Sequence, residues 1–233
     1  EWARDEWSGP ARWLLKVSER LAVRHADLVI AGNQAVADHV RDSYGADSEV
    51  IAYGGDRAVA APPADIRDLG LPEGYALGLC RIEPENNVAM ILEAFAGGQG
   101  GARNSAGGGE PLVFVGNWAA SAYGQELRGR YGAVPNLHLL DPVYDPGRLR
   151  AIRDGARVYV HGHSAGGTNP SLVEMMHFAI PVLAFDCSYN RHTTEGRARY
   201  FADATGLRGL LDTADRTMRD ATEGPVMQEI AAR

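Results

Sequence analysis

Cysteine is scarce in this chain, and the two that occur lie far apart. Cys80 and Cys187 each stand inside an apolar segment, and neither belongs to a Cys-x-x-Cys spacing. Neither a disulfide framework nor a zinc cluster is therefore indicated, because both need more cysteines at characteristic spacings. We predict two buried free thiols.

Long apolar runs and an excess of positive charge are also lacking. No segment approaches the roughly 18 consecutive apolar residues that cross a bilayer, and the start, EWARDEWSG, has no apolar core of a secretory signal. The formal net charge of -7 does not provide the basic field that binding to nucleic-acid phosphates requires. We expect a cytoplasmic protein with no nucleic-acid partner.

The 233 residues are 45% hydrophobic, which suffices for one large domain or two smaller lobes. The first 55 residues show the pattern helix, strand, helix, strand. Apolar residues recur at helical spacing over 10–26, Asn33 is a plausible N-cap for the second helix, and Gly45 is its natural stop. Residues 56–73, with a proline pair and no sustained period, are interpreted as a linker.

From residue 75 onward the chain alternates between short apolar segments and helical patterns. A glycine-rich stretch at 97–111, interpreted as a surface loop, interrupts the alternation once. Strands separated by single helices run parallel with right-handed crossovers. The fold class predicted is therefore α/β, a doubly wound parallel sheet, in which ligands bind beyond the carboxyl ends of the strands. The strands are expected at 75–81, 112–117, 136–143, 156–163 and 180–186.

The segment HGHSAGGTNPSLVEMM, residues 161–176, leaves three interpretations open: a metal site, a phosphate cradle, or a tight turn into a helix. Asn169 followed by Pro170 is a strong helix start. Gly166 and Gly167 would let the backbone approach a ligand, and the free N–H groups that follow would form an anion site. The alternative is that the glycines only make the turn.

His161 and His163 share one face of an extended backbone and could ligate a metal ion. Zinc generally needs three or four protein ligands and no third one is near, so we predict no metal, with one histidine facing the ligand and one packing or capping. Glu174 lies on the same helix face as the open helix end, where it could accept hydrogen bonds from a ribose diol. Its alternative role is a carboxylate favoured by the helix dipole.

Arg81 follows a buried strand, where a cation would suit a bound diphosphate. The alternative is a solvated arginine that pairs with Glu83 or Glu85. The run NRHTTEGRARYF, residues 190–201, is interpreted as a polar loop after a strand end, a position typical of functional residues.

Taken together, these segments resemble the nucleotide-binding lobe of GT-B glycosyltransferases, in particular the retaining family 4. YALGLCRIEPENNVAMILEAFA is similar to that family's strand, R-x-x-P-E-K-G loop and helix. The stretch from LHLLDPVYDP to IPVLAFD resembles its strand, helix, strand, E-x7-E loop and helix. ADLVIAGNQAVADHV and EVIAYGGD are similar to the last helix and strand of the first lobe. Nearly the whole chain is covered, in the family's order and spacing.

The resemblance implies a donor site. Arg81 and the backbone of Gly167, Thr168 and Asn169 would hold the diphosphate, and Glu174 would hold the ribose. The complete set of implied donor-binding residues is Arg81, Asn86, Gly116, Asn117, Val143, His163, Gly166, Gly167, Thr168, Asn169 and Glu174. Within it the backbone around Val143 would contact the base, while Gly116 and Asn117 would line the cleft.

Two of these positions depart from the family pattern. Asn86 stands where the family usually has lysine, and Gly166 stands where the first glutamate of E-x7-E usually contacts the donor sugar. The departures argue against ordinary glucose, mannose or N-acetylglucosamine donors. Together with the segments EW...W, RIEPENN, GGTNPSLVE and NRHTTEG they resemble a bacterial rhamnosyltransferase subgroup of surface polysaccharide assembly. A dTDP- or UDP-sugar donor, such as dTDP-rhamnose, is implied, with a glycan or lipid-linked acceptor.

The resemblance also implies a division of the chain. Residues 1–57 would be the end of an incomplete acceptor lobe, 58–205 the donor-binding lobe, and 206–233 a helical segment returning to the first lobe. The chain starts at Glu1 without methionine and ends in the middle of a helical pattern, so we expect a fragment. The catalytic residues, and any peripheral contact with the inner membrane, would belong to the missing lobe.

Other functions remain open at this point. The same lobe occurs in nucleotide-sugar epimerases and phosphorylases, and a catalytically inactive sugar-nucleotide binding protein would also fit Asn86 and Gly166. For the glycosyltransferase no metal and no separate cofactor is expected, because the nucleotide sugar is itself the substrate.

Overall fold

The structure is a computed structural model that describes residues 8–97, 110–217 and 223–232. The first seven residues and most of the predicted glycine-rich loop lie outside the described residues. The described elements, in chain order, are α1 (Gly9–His25), β1 (Ile30–Ala31), α2 (Gln34–Tyr44), β2 (Glu49–Val50), α3 (Arg57–Ala60), β3 (Tyr75–Leu79), α4 (Val88–Ala96), β4 (Leu112–Val115), α5 (Ala122–Tyr131), β5 (Leu137–Leu140), α6 (Pro146–Asp154), β6 (Ala156–His161), α7 (Pro170–Met176), β7 (Val182–Phe185), α8 (Ser188–Thr193), β8 (Arg199–Phe201), α9 (Ala204–Thr217) and α10 (Glu223–Ala231).

The N-terminal segment, residues 8–56, has the predicted order of helix, strand, helix and strand. Asn33 caps α2, since its side chain accepts a hydrogen bond of 2.9 Å from the backbone N–H of Val36. Gly45 ends the helix in the left-handed region, with φ of 65°. The strands β1 and β2 pair in parallel but are only two residues long, shorter than the apolar runs predicted.

The main body is a six-stranded parallel sheet of order β5-β4-β3-β6-β7-β8. The chain starts in the middle at β3, proceeds outward to β5, and then returns to the other side of β3 as β6. This is the doubly wound arrangement, and the prediction of the fold class is confirmed. The topological switch point lies between β3 and β6, which pair directly through Ala76 with Val158 and Leu77 with Tyr159.

Helices cover both faces of this sheet and enclose two apolar clusters. On one face Phe114 packs edge to face against Trp118, with a centroid distance of 5.5 Å, under α4, α5 and α9. On the other face the buried Tyr75 and Tyr159 pack with residues of α6, α7 and α10. The Tyr75 hydroxyl donates to the carbonyl of Ile152 at 2.5 Å, so this buried polar group is satisfied.

The predicted polar loop at 190–201 is wrong. The segment instead completes α8 and then forms the sixth strand, β8, which pairs with β7. Asn190 is only 2% exposed and donates to the carbonyls of Phe185 at 2.8 Å and His163 at 2.9 Å. The polar composition was interpreted as a loop, whereas here the Asn190 amide faces inward and satisfies backbone carbonyls.

Two further predictions are modified. The linker predicted at 56–73 contains the short helix α3 and a 3₁₀ turn at Arg67–Leu69. Cys80 and Cys187 are free thiols, as predicted, but each is partly rather than fully buried. Desolvation nevertheless raises the pKa of the Cys80 thiol to about 12.

Among the described residues, no helix combines the length and apolarity needed to cross a bilayer.

Candidate functional site

The loops that follow β3 and β6 meet at the switch point. We call them the β3 loop (residues 80–87) and the β6 loop (residues 162–169). The side chain of Asn87 donates to the carbonyl of Gly162 at 2.8 Å. Ser164 donates to the carbonyl of Glu85 twice, from its backbone N–H at 3.0 Å and from its hydroxyl at 2.8 Å. These bonds fix the two loops to each other beyond the carboxyl ends of the central strands.

A cleft of about 500 Å³ opens beside the switch point, beyond the ends of β3, β4 and β5. We call it the β3–β5 cleft. It brings together four of the predicted site residues, Arg81, Gly116, Asn117 and Val143, and has the strongly exposed Tyr144 among its lining residues. A Cβ atom on Gly116 would lie 2.8 Å from the carbonyl oxygen of Cys80, so the close approach of the strand ends requires glycine there.

Arg81 is the cation of this cleft. Its side chain is 68% exposed, and Nη1 lies 3.2 Å from Oε1 of Glu83. The predicted alternative, pairing with Glu83, is therefore present in the structure. An exposed ion pair contributes only about 0 to 1 kcal/mol, so Arg81 could leave Glu83 for an anionic ligand at little cost.

Asn86, predicted among the donor-binding residues, is placed differently. It is 3% exposed, and its Nδ2 donates to the carbonyl of Arg81 at 2.8 Å. The side chain therefore holds the shape of the loop that carries Arg81 and is not among the residues that line the β3–β5 cleft. A lysine at this position would bury an ammonium group, which is costly without a partner.

The β6 loop leads into α7 as predicted. Asn169 caps the helix, and its Oδ1 accepts from the backbone N–H of Ser171 at 3.1 Å and from the Ser171 hydroxyl at 2.8 Å. Gly166 and Gly167 have φ of 110° and 86°, a region that L-residues with side chains rarely adopt. A glutamate at position 166, as in the resembled family, would be strained in this backbone.

Thr168 makes contacts that the sequence did not predict. Its hydroxyl accepts from Nδ2 of Asn33 at 2.6 Å and donates to the carbonyl of Gly32 at 3.2 Å. The β6 loop is thereby tied to the N-terminal segment. A second, larger cleft of about 1010 Å³ lies at this junction, lined by parts of the N-terminal segment, α7, α8 and the end of α10.

The two histidines of the segment 161–176 stack on each other. The ring centroids of His161 and His163 are 4.4 Å apart with an interplanar angle of 12°. His161 is 1% exposed, and its Nδ1 lies 3.3 Å from the Tyr159 hydroxyl. Burial holds the pKa of His161 well below its usual value, and burial together with the charge of Arg81 lowers the pKa of His163 to about 4. Both rings are therefore uncharged at neutral pH.

In the part of the chain that the structure describes, no third metal ligand accompanies His161 and His163. No group of three or more His, Cys, Asp or Glu side chains is arranged there to hold a metal ion. His161 packs inside, as one of the two histidines was predicted to do. His163 does not line either cleft.

Glu174, the predicted ribose ligand, lines neither cleft in this structure. Its Oε2 forms an ion pair with Nη2 of Arg153, whose side chain is only 6% exposed. Arg153 was not predicted as a site residue. The two positions are far apart in sequence and no motif joins them, so only the structure reveals the contact.

The comparisons with known proteins bear on the fold. A family described as Domain of unknown function (DUF1972) matches residues 1–56. Among curated protein sequences, no significant match is found. Several solved structures match over nearly the whole chain.

Sucrose-phosphate synthase from Thermosynechococcus elongatus superposes with a TM-score of 0.77 at 20% identity, over 99% of this chain and 59% of that one. HepE of Anabaena, in complex with UDP and glucose, gives a TM-score of 0.74 at 18% identity, over 99% of this chain and 64% of that one. The pneumococcal O-GlcNAc transferase GtfA, in complex with UDP and GlcNAc, gives a TM-score of 0.67 at 12% identity, over 92% of this chain and 43% of that one.

These likenesses show the fold. The six-stranded sheet and its helices form a Rossmann-like lobe of the GT-B type, as the sequence resemblance implied. The chain spans about six tenths of the length of the first two of these structures.

Proposed function

We propose that this chain is mainly the donor-binding part of a glycosyltransferase, which transfers a sugar from a nucleoside diphosphate to a glycan or lipid-linked acceptor. The observation that carries the proposal is the β3–β5 cleft, where Arg81, Gly116, Asn117 and Val143 meet at the carboxyl edge of a doubly wound sheet. This edge is where such folds bind nucleotides. Arg81 is exposed there as a cation for the diphosphate.

The solved neighbours support a nucleotide-sugar donor. HepE was solved with UDP, with UDP and glucose, and with UDP-glucose, and GtfA with UDP and GlcNAc. For this chain the proposed base is uracil or thymine, contacted by the backbone around Val143. A uridine or thymidine diphosphate would occupy the β3–β5 cleft, with its diphosphate between Arg81 and the β6 loop.

Catalysis in this proposal is largely electrostatic. As the glycosidic bond breaks, negative charge develops on the departing diphosphate, and Arg81 stabilises it. The backbone N–H groups of Gly167, Thr168 and Asn169 contribute to the same stabilisation at the start of α7. The scheme uses no metal ion and no separate cofactor.

The finer assignments rest on the resemblance. Retention of configuration is proposed from the similarity to family 4. A deoxyhexose donor such as rhamnose is proposed because Gly166 has no carboxylate, whereas the family usually has a glutamate there that contacts the sugar. We place the reaction in the cytoplasm, with the acceptor and catalytic groups supplied by a first lobe of which residues 1–57 are the end. Residues 206–233 would return to that lobe.

A thermal-shift screen with UDP, dTDP, GDP and ADP tests the proposal. A ligand that binds only the folded state stabilises it by about 2.7 kcal/mol when present at 100 times its dissociation constant. We expect UDP or dTDP to raise the melting temperature, and GDP and ADP to leave it unchanged. No response to any of the four nucleotides would contradict the proposal.

A sugar-nucleotide binding protein without transferase activity is the second candidate. Gly166 and the buried Asn86 favour this candidate. The resembled family usually has a charged side chain at each of these two positions, and this chain has none. A longer chain that includes the first lobe should transfer sugar to some member of an acceptor panel. Tight nucleotide binding without any transfer would favour the binding protein.

A further inference from the structure

Arg81 shares the β3–β5 cleft with a charge of the opposite sign. Glu83 follows two residues later in the β3 loop and is itself among the residues that line the cleft. Its Oε1 lies 3.2 Å from Nη1 of Arg81, and its side chain is 32% exposed, against 68% for Arg81. The cleft proposed to hold a diphosphate therefore contains an anion beside its cation.

The Glu83 carboxylate is incompletely paired. Its second oxygen, Oε2, is buried and has no hydrogen-bond partner among the described residues. Burying part of an anion without a partner is unfavourable, and Arg81 supplies the compensating charge. A phosphate group that engages Arg81 takes over this charge. The carboxylate then remains in the cleft together with the negative charge of the ligand.

The backbone of the β3 loop keeps Glu83 in place. Its N–H donates to the carbonyl of Arg81 at 3.0 Å, and its carbonyl accepts from the N–H of Asn86 at 3.1 Å. Pro84 follows, which favours the extended backbone that Glu83 adopts, with φ of -134° and ψ of 149°. The direction of the Cα–Cβ bond of Glu83 is therefore fixed, and the carboxylate can move only by rotation of its side chain.

We propose that Glu83 is a specificity-determining residue, whose negative charge favours the nucleotide sugar over the nucleoside diphosphate that is released from it. This inference rests on the proposed donor site. In a nucleotide sugar each phosphate carries one negative charge. The released nucleoside diphosphate has a further charge on its terminal phosphate, whose second pKa is about 6. Repulsion by Glu83 acts more strongly on this product and promotes its release.

The test compares the dissociation constants of UDP and of its β-methyl ester, measured by calorimetry at pH 8. The ester caps the terminal phosphate as a sugar does, so it has the charge of a nucleotide sugar without the contacts of the sugar. The variants are Glu83→Gln, which removes the charge and keeps an oxygen for Arg81, and Glu83→Asp, which keeps the charge.

Asp154→Asn is the matched control, because it changes the net charge of the chain by the same amount. Asp154 is 37% exposed and pairs with Arg150 on α6. It is the last residue of α6, just before β6 begins, and therefore lies at the amino edge of the sheet, opposite the cleft.

We expect Glu83→Gln to bind both ligands more tightly than the wild type does, and to shift the ratio of their dissociation constants about threefold in favour of UDP. This is the effect of one additional charge at about 7 Å from a carboxylate in water. Glu83→Asp and Asp154→Asn should keep the wild-type ratio. The shift should disappear in about 1 M salt, where the screening length is about 3 Å.

A side chain that only supports the loop would not produce a change that follows the charge of the ligand. An unchanged ratio in Glu83→Gln, or weaker binding of both ligands, would therefore overturn the inference. An equal shift in Asp154→Asn would overturn it too, since the net charge of the chain would then be the cause.

The wild type gives two further outcomes. Binding of UDP without any binding of the ester would overturn the inference and leave the nucleoside diphosphate site intact, because the site would then select the released product. Absence of binding of both ligands would overturn the proposed donor site as well as this inference.

Discussion

Asn33 and Thr168, 135 positions apart in the sequence, are joined by a hydrogen bond of 2.6 Å from Nδ2 to Oγ1. The same asparagine side chain caps α2 through Val36. One residue of the N-terminal segment therefore orders both its own helix and the β6 loop. The conformation of the proposed diphosphate cradle depends on this segment.

Thr168→Val tests this dependence, because valine has the shape of threonine without the hydroxyl. The Asn33 amide and the Gly32 carbonyl would each lose a partner, which we expect to lower the free energy of unfolding by about 1 to 3 kcal/mol. Affinity for the nucleotide should fall a few-fold, since the loop is less ordered. Urea denaturation and calorimetry measure the two effects.

Asn33→Ser is the control, because serine keeps the helix cap and removes the donor to Thr168. It should reproduce most of the loss in nucleotide affinity. Wild-type affinity in both variants would show that the contact does not order the cradle.

Gly166→Ala tests the backbone of the β6 loop. Nothing lies within 4 Å of a Cβ at this position, so the effect of the substitution isolates the positive φ of 110°. We expect a loss of about 1 to 3 kcal/mol in the free energy of unfolding. Gly129→Ala, on the exposed last turn of α5 with equally free space, should instead stabilise by up to about 1 kcal/mol. Equal stability of Gly166→Ala and the wild type would contradict the assigned strain.

Much of the fold could be predicted because its signals are local. Asn33 and Gly45 delimit α2, and Asn169 with Pro170 starts α7, each through bonds within a few residues. The parallel sheet follows from the alternation of strands and helices. The helix α8 was missed because its N-cap, Cys187, makes no side-chain cap bond and so leaves no start signal.

The site could be predicted only in part. Arg81, Gly116, Asn117 and Val143 line one cleft, since each follows a strand whose carboxyl end reaches the same edge. The inward side chain of Asn86 and the pairing of Glu174 with Arg153 depend on contacts between separate elements. No spacing along the chain encodes such contacts.

The buried histidines predict a pH dependence of stability. His163 has a pKa lowered to about 4 in the folded state, against about 6.5 for an unfolded histidine, so the unfolded state binds more protons between these values. Stability should therefore be unaffected by this residue above pH 7 and should decrease as the pH falls towards 4. Between pH 7 and pH 5 the loss from His163 alone is about 2 kcal/mol.

His163→Gln removes the titrating group and keeps a polar side chain. Urea denaturation at pH 7 and pH 5 should show a smaller difference for this variant than for the wild type. His161, with its pKa also held well below the usual value, should give a loss in the same direction in both proteins. An identical difference in the variant and the wild type would show that His163 does not titrate as described.

The most direct test of the proposed donor site is a calorimetric titration of UDP into the wild type and into Arg81→Ala. Because Arg81 is 68% exposed and its pair with Glu83 contributes little, the variant should keep the wild-type melting temperature. We predict that the wild type binds UDP and that the variant binds it at least about tenfold more weakly, as expected for the loss of a charge-assisted contact to phosphate. Equal dissociation constants, or no binding to the wild type, would contradict the account.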